Sequence, residues 1–111
     1  MHSEARRRIV DTVSPLVPIA YMCWPVGDAP SLPWAVYTDD PDGMGADMEC
    51  YSVSHSWDVE LYERESDSSL EKAVYDALSA QYGHVEPPVG TWVESEGCYM
   101  CSYRFSEIEG I

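Results

Sequence analysis

At 111 residues the chain is long enough for one independently stable core and too short for two, and a 45% hydrophobic content with four Trp and eight Tyr argues against disorder. Six basic residues against 20 acidic ones give a formal net charge of -14, which repels phosphate backbones and anionic lipid surfaces and so disfavours nucleic-acid binding. No apolar run approaches the roughly 20 residues of a membrane span, and residues 1–11 lack the apolar stretch of a signal peptide. The expectation is a soluble protein made in the cytoplasm, with Cys23, Cys50, Cys98 and Cys101 as free thiols.

In chain order, Ser3 is placed to cap a helix within residues 1–14, where Ile9, Val10 and Val13 form an apolar stripe and Pro15 stops the run. The basic run Arg6, Arg7 and Arg8 reads as a solvated face of that helix. Residues 17–24, bounded by Pro18 and Pro25, read as a strand near a sheet edge, because proline donates nothing to a ladder. After a turn through Gly27, Asp28 and Pro30, residues 33–37 form a short second strand. Residues 38–47 then carry Asp39, Asp40, Asp42 and Asp47 with two Gly and a Pro, and Met44 as the only large apolar side chain. This predicts a long acidic loop over residues 38–49, a candidate contact element because long structureless loops in small domains are usually functional or disordered.

From Tyr51 to Tyr62 the pattern has a period of two: Tyr51, Val53, His55, Trp57, Val59 and Leu61 alternate with Ser52, Ser54, Ser56, Asp58, Glu60 and Tyr62. One face of this strand must be buried, and the serine row on the other is small enough for a close neighbour. Ser68 with Glu71 forms a capping box for a helix whose stripe is Leu70, Val74, Ala77, Leu78 and Gln81, ended by Gly83. Residues 84–90 connect to a hairpin that starts at residues 91–95 and turns at Glu96 and Gly97. Its return strand, residues 98–108, puts Tyr99, Cys101, Tyr103 and Phe105 on one face. The fold class is α+β, a small mixed or antiparallel sheet of about five strands with two helices packed on one face.

Little in the chain points to catalysis. Cys98 and Cys101 form a CxxC, but residues three apart on a strand point to opposite faces and cannot easily share a metal. His55 lies on the apolar side of the long strand, where a satisfied core histidine is expected, and no local signature pairs it with Cys50 or Cys98 as a nucleophile. The aspartates of residues 38–49 lack EF-hand spacing, and neither a phosphate-binding glycine loop nor a serine elbow is present. No catalytic, cofactor or metal residue is assigned.

Several phrases together resemble the tail terminator and tail completion proteins at the head–tail junction of long-tailed bacteriophages. They are the VPIAYMCWP strand, LPWAVYTDD, ADMECYSVSHSWDVELYERESD with its Ala-Asp lead-in and closing ELY, the helix SSLEKAVYDALSAQ, and the terminal hairpin TWVESEGCYMCSYRFSEIE. The resemblance covers residues 17–109, with departures at Met48, Glu49, Cys98 and Cys101. It implies a virion protein without an active site that forms a ring, commonly of six copies, on the end of the tail tube. Such a ring stops tube growth, docks the head connector and lets genomic DNA pass through its lumen ungripped. The implied partners are further copies of itself, the tail tube protein and the connector or head-completion protein, with no membrane and no cofactor. The candidate subunit or tube contacts are Asp39, Asp40, Asp42, Met44 and Asp47 from the acidic stretch and Ser52, Ser54 and Ser56 from the strand. Two other readings stay open: an acidic DNA mimic that inhibits a DNA-binding protein, suggested by the net charge, and a small cysteine or zinc protein, suggested by Cys98, Cys101 and His55.

Overall fold

A computed structural model describes residues 3–110 apart from 26, 28 and 45–51. The elements run α1 (Ser3–Val13), β1 (Ile19–Tyr21), β2 (Trp34–Met44), β3 (Ser52–Glu63), α2 (Ser68–Tyr82), β4 (Val89–Val93) and β5 (Cys98–Gly110). The five strands form one sheet in the order β1-β2-β3-β5-β4, an α+β fold. β1 lies parallel to β2 and every other neighbouring pair is antiparallel. A parallel pair cannot be joined by a tight hairpin, so residues 22–33 cross back between β1 and β2.

Each helix turns a narrow stripe to the sheet. In α1, Ala5, Ile9 and Val13 recur at every fourth position and are wholly buried, and in α2 Val74 and Leu78 do the same. Gln81, expected on that stripe, is exposed at the end of the helix, where its amide keeps its water. The cap also differs from expectation. Asp67, not Ser68, is the N-cap: its backbone is extended and its Oδ1 accepts from the N–H groups of Ser69 and Leu70 at 3.0 and 3.2 Å. Glu71 Oε2 accepts from Asp67 N at 3.0 Å, so the reciprocal contact exists, with the cap one residue earlier than expected and Glu71 at the fourth helical position instead of the third. Gly83, at φ 85°, ends the helix in a backbone conformation that costs a residue with a Cβ.

The helices meet the sheet over Ala35 and Tyr37 of β2, Trp57, Val59 and Leu61 of β3, and Cys101, Tyr103 and Phe105 of β5. Burying a large apolar side chain of this kind contributes about 1.5–3 kcal/mol. Two polar tips within this layer are satisfied: Tyr103 donates to the Glu71 carbonyl at 2.8 Å and Trp57 Nε1 to Glu107 Oε1 at 3.2 Å. Cys101 belongs to this layer, whereas Cys98, three residues earlier, is buried on the opposite face, as the period of a strand requires.

The expected acidic loop is corrected by the ladder. Residues 38–44 continue β2 and pair residue for residue with β3, from Thr38 opposite Asp58 to Met44 opposite Ser52. Only the rest of the stretch, residues 45–49 with Asp47, lies outside the described residues. The aspartates, glycine and proline have poor strand propensity, but the unbroken alternation of β3 supplies a template that overrides it. Pro41 fits because of its parity. Ala35 N donates to Pro18 O and Tyr37 O accepts from Met22 N, so odd-numbered backbone groups of β2 point away from β3. The missing N–H of Pro41 therefore falls on the open edge and costs no ladder bond.

Candidate interaction surface

With both helices on one face, the other face of the sheet is open to a partner over much of its area. Its side chains fall in rungs set by the register. Asp40, Ser56 and Ser106 form one rung, Thr38, Asp58 and Arg104 the next, then Val36, Glu60 and Ser102, then Trp34, Tyr62 and Met100. The first two rungs are polar and wet, and Asp58 is held there by the Ser102 hydroxyl at 2.9 Å and Arg104 Nε at 3.6 Å. Glu86 lines the same shallow depression as Asp58, Glu60 and Arg104. This surface is acidic, with Arg104 as its one described arginine or lysine.

The candidate contacts divide unequally over the structure. Asp40 and Ser56 are exposed and sit directly opposite each other on this face. Asp42 pairs with Ser54, and Met44 with Ser52, further along the same ladder. Asp47 is outside the described residues. Asp39 is a correction: its side chain is wholly buried on the helix side, so it offers nothing to a partner. Because neighbours on a strand face opposite ways, Asp39 and Asp40 cannot share a cation. Among the described residues no group of three or more His, Cys, Asp or Glu side chains is placed to hold a metal ion.

Asp39 instead anchors a polar network at the end of the core. His55 Nδ1 lies 2.9 and 3.0 Å from its two carboxylate oxygens, and the imidazole stacks on Trp57 with ring centres 5.0 Å apart and 10° between planes. Arg6 brings its Nε to 3.9 Å from Asp39 Oδ2, donates to the Tyr21 hydroxyl at 3.1 Å and lays its guanidinium over the Tyr21 ring at 4.1 Å. Burial raises the Tyr37 phenol pKa above its ordinary value, and the Arg6 charge pulls it part of the way back. Arg8 bonds Glu107 at 2.9 Å, on the carboxylate that also accepts from Trp57. The arginine run is thus not the solvated face expected of it. Arg6 and Arg8 are half-buried partners of the sheet, and Arg7 alone of the three is exposed. Three like residues in a row carry no pattern that separates them; only the burial of Ala5 and Ile9, which orients α1, does so.

The second buried carboxyl stands at the other end of β3. Glu63 is almost wholly buried, and its Oε1 shares the Asp67 N–H with Glu71 Oε2, at 3.2 and 3.0 Å. Burial first, then the hydrogen bond and charge of Glu71, push Glu63 up to about 8. Its position in the alternation, two residues past Leu61, marks it as inward-facing, but nothing in the sequence singles it out as titrating.

A scan of the chain against models of known protein families finds no match. A search of curated proteins finds no relative. Among the described residues no helix is long and apolar enough to cross a membrane.

Proposed function

We propose that the chain is a structural protein of the head–tail junction of a long-tailed bacteriophage, a ring former on the end of the tail tube that stops its growth and receives the head connector. The observation that carries this reading is the three-stranded ladder of β2, β3 and β5. It runs five rungs beyond the one containing Trp57, to Met44, Ser52 and Gly110, while β1 pairs with β2 only as far as Tyr37. At about 3.3 Å per residue, the 12 residues of β3 span roughly 40 Å, long for a domain of this size. Among the described residues the outer edge of β2 from Thr38 onwards has no strand partner.

The opposite edge of the sheet, β4, is open too, and is unlike the first. It exposes 68% of Val89 and 54% of Trp92, where the β2 edge exposes Asp40. Two unlike open edges on one sheet suit head-to-tail contacts between copies, the kind that close into a ring. The element order also supports the reading, since strand, strand, long strand, helix and terminal hairpin follow the order of the phrases that carry the resemblance. With a net charge of -14 on each copy, such a ring passes DNA without gripping it.

The test is a polymerisation assay with the tail tube protein of the same phage, followed by electron microscopy. Tubes whose growth stops on addition of this chain, with density on one end only, support the reading. Tubes that lengthen unchanged in its presence refute it.

A further inference from the structure

Met22, Trp24, Pro25 and Leu32 of the crossing lie beside the buried Val36 and Cys98 at one end of the outer sheet face, a side that no helix among the described residues covers. A cleft of about 690 Å³ is left between this crossing and the sheet, within the size range of sites for small ligands and side chains. Three aromatic rings, those of Trp24, Trp34 and Tyr62, form part of its wall. The Trp34 ring lies 4.8 Å from Tyr62 at 36° and 6.2 Å from Trp24 at 69°, so the three rings meet at angles instead of stacking shut. Two carboxylates, Glu60 and Glu96, line the same cleft, and no described residue of its lining is basic. Tyr62 donates to Glu60 Oε1 at 3.1 Å and so holds one of them in place. Burial, then the charge of Glu60, raises Tyr62 to about 12, so the phenol stays protonated as that donor.

Aromatic faces backed by carboxylates recognise organic cations, and the planar guanidinium of arginine both stacks on such rings and pairs with carboxylates. We propose that this cleft receives an arginine side chain from an extended segment of a partner protein. The guanidinium lies against Trp34 and Tyr62 and pairs with Glu60 and Glu96. Charge complementarity argues for such a partner, since a chain of net charge -14 attracts basic segments. It argues less for a second copy: Arg6, Arg8 and Arg104 are engaged with Asp39, Glu107 and Asp58, which leaves a neighbour Arg7 or Arg64 to offer. The inference is independent of the ring reading and survives its failure.

The test titrates acetyl-Gly-Arg-Gly-amide into the full chain at low salt, with tryptophan fluorescence and the indole N–H signals in NMR as readouts. The control is the same peptide with citrulline, which keeps the shape and loses the charge. Saturable binding with a dissociation constant on the order of 1 mM, weakened at least about threefold in roughly 0.2 M salt and absent for citrulline, supports the site. Glu60→Gln, which leaves Tyr62 an acceptor, should weaken binding by roughly tenfold, the loss of one charged contact, with an unchanged circular dichroism spectrum. No saturable change up to about 50 mM peptide, far above a millimolar constant, or equal binding of citrulline, overturns the proposal. A tryptophan signal that instead follows protein concentration and disappears in Arg7→Ala or Arg64→Ala seats a second copy in the cleft and overturns it as well.

Discussion

His55 and Asp39 meet across the first two long strands with Nδ1 and Oδ1 2.9 Å apart, and neither side chain has any exposure to solvent. Asp40, the next residue, points to the other face and is exposed. Two adjacent aspartates therefore answer to different physics. Asp39→Ala removes the buried carboxylate that His55 and Arg6 share, which should cost about 3–5 kcal/mol. Asp40→Ala should stay within about 0.5 kcal/mol of the parent. Urea denaturation of the two variants checks this; equal midpoints would show that the buried network contributes nothing.

The pH dependence should run against the usual acid-denaturation trend at Glu63. Its folded pKa, about 8, lies above the ordinary carboxyl value of 4.5, so the folded state holds the proton more tightly than the unfolded one. The resulting stabilisation is complete below about pH 4.5 and is lost as pH rises through about 8. Glu63→Gln removes that titration and keeps an N–H for Glu71. It should leave stability near pH 5 within about 1 kcal/mol and raise the melting temperature above that of the parent by at least roughly 8 °C at pH 8.5. Parallel stability curves for the two proteins between pH 5 and 9 would contradict the assignment.

Gly90 of β4 is fixed by what crosses it. A Cβ built there would overlap the Tyr99 hydroxyl and lie 2.5 Å from its Cζ. The obstacle is the far end of a flexible side chain, so Gly90→Ala should cost about 1–3 kcal/mol by displacing the ring. Combining it with Tyr99→Ala, which clears the space, should give a double variant no less stable than Tyr99→Ala alone. Additive losses in that double-mutant cycle would show that the two residues do not meet.

Much of this fold was legible because alternation and stripes are written into the chain. The period of two in β3, with Trp57, Val59 and Leu61 inward, and the spacing of Ile9 and Val13 or Val74 and Leu78 mark the residues that form the core. The extension of β2 through residues 38–44 was not legible, because its residues are turn formers and what makes them a strand is the length of β3, a partner many residues away. The candidate surface was legible in part for a related reason. Ser56 follows from its own strand's parity, but the assignment of Asp39 inward and Asp40 outward needs the register between strands. Trp24, Trp34, Tyr62 and Glu96 come together in a cleft only through the crossing of residues 22–33 over the sheet, and no local pattern encodes that.

If the open face carries the contact between copies, Ser56→Arg should disrupt it. Ser56 is exposed at the centre of a rung between Asp40 and Ser106, so the long cation changes the monomer's stability by no more than about 0.5 kcal/mol. The same change should weaken assembly by at least about tenfold, since it buries bulk and charge in a close contact. Sedimentation velocity of parent and variant over a concentration series measures both species directly. Undiminished assembly of the variant would move the contact to another surface.

The most direct measurement of the ring reading is the mass of the assembled particle, determined by light scattering on the purified chain with the tail tube protein present. Six copies of a 12.5 kDa chain give a ring of about 75 kDa, as free particles and as a cap of that mass on tube ends. A chain that stays at 12.5 kDa at every concentration, with tube ends left bare, would contradict the account.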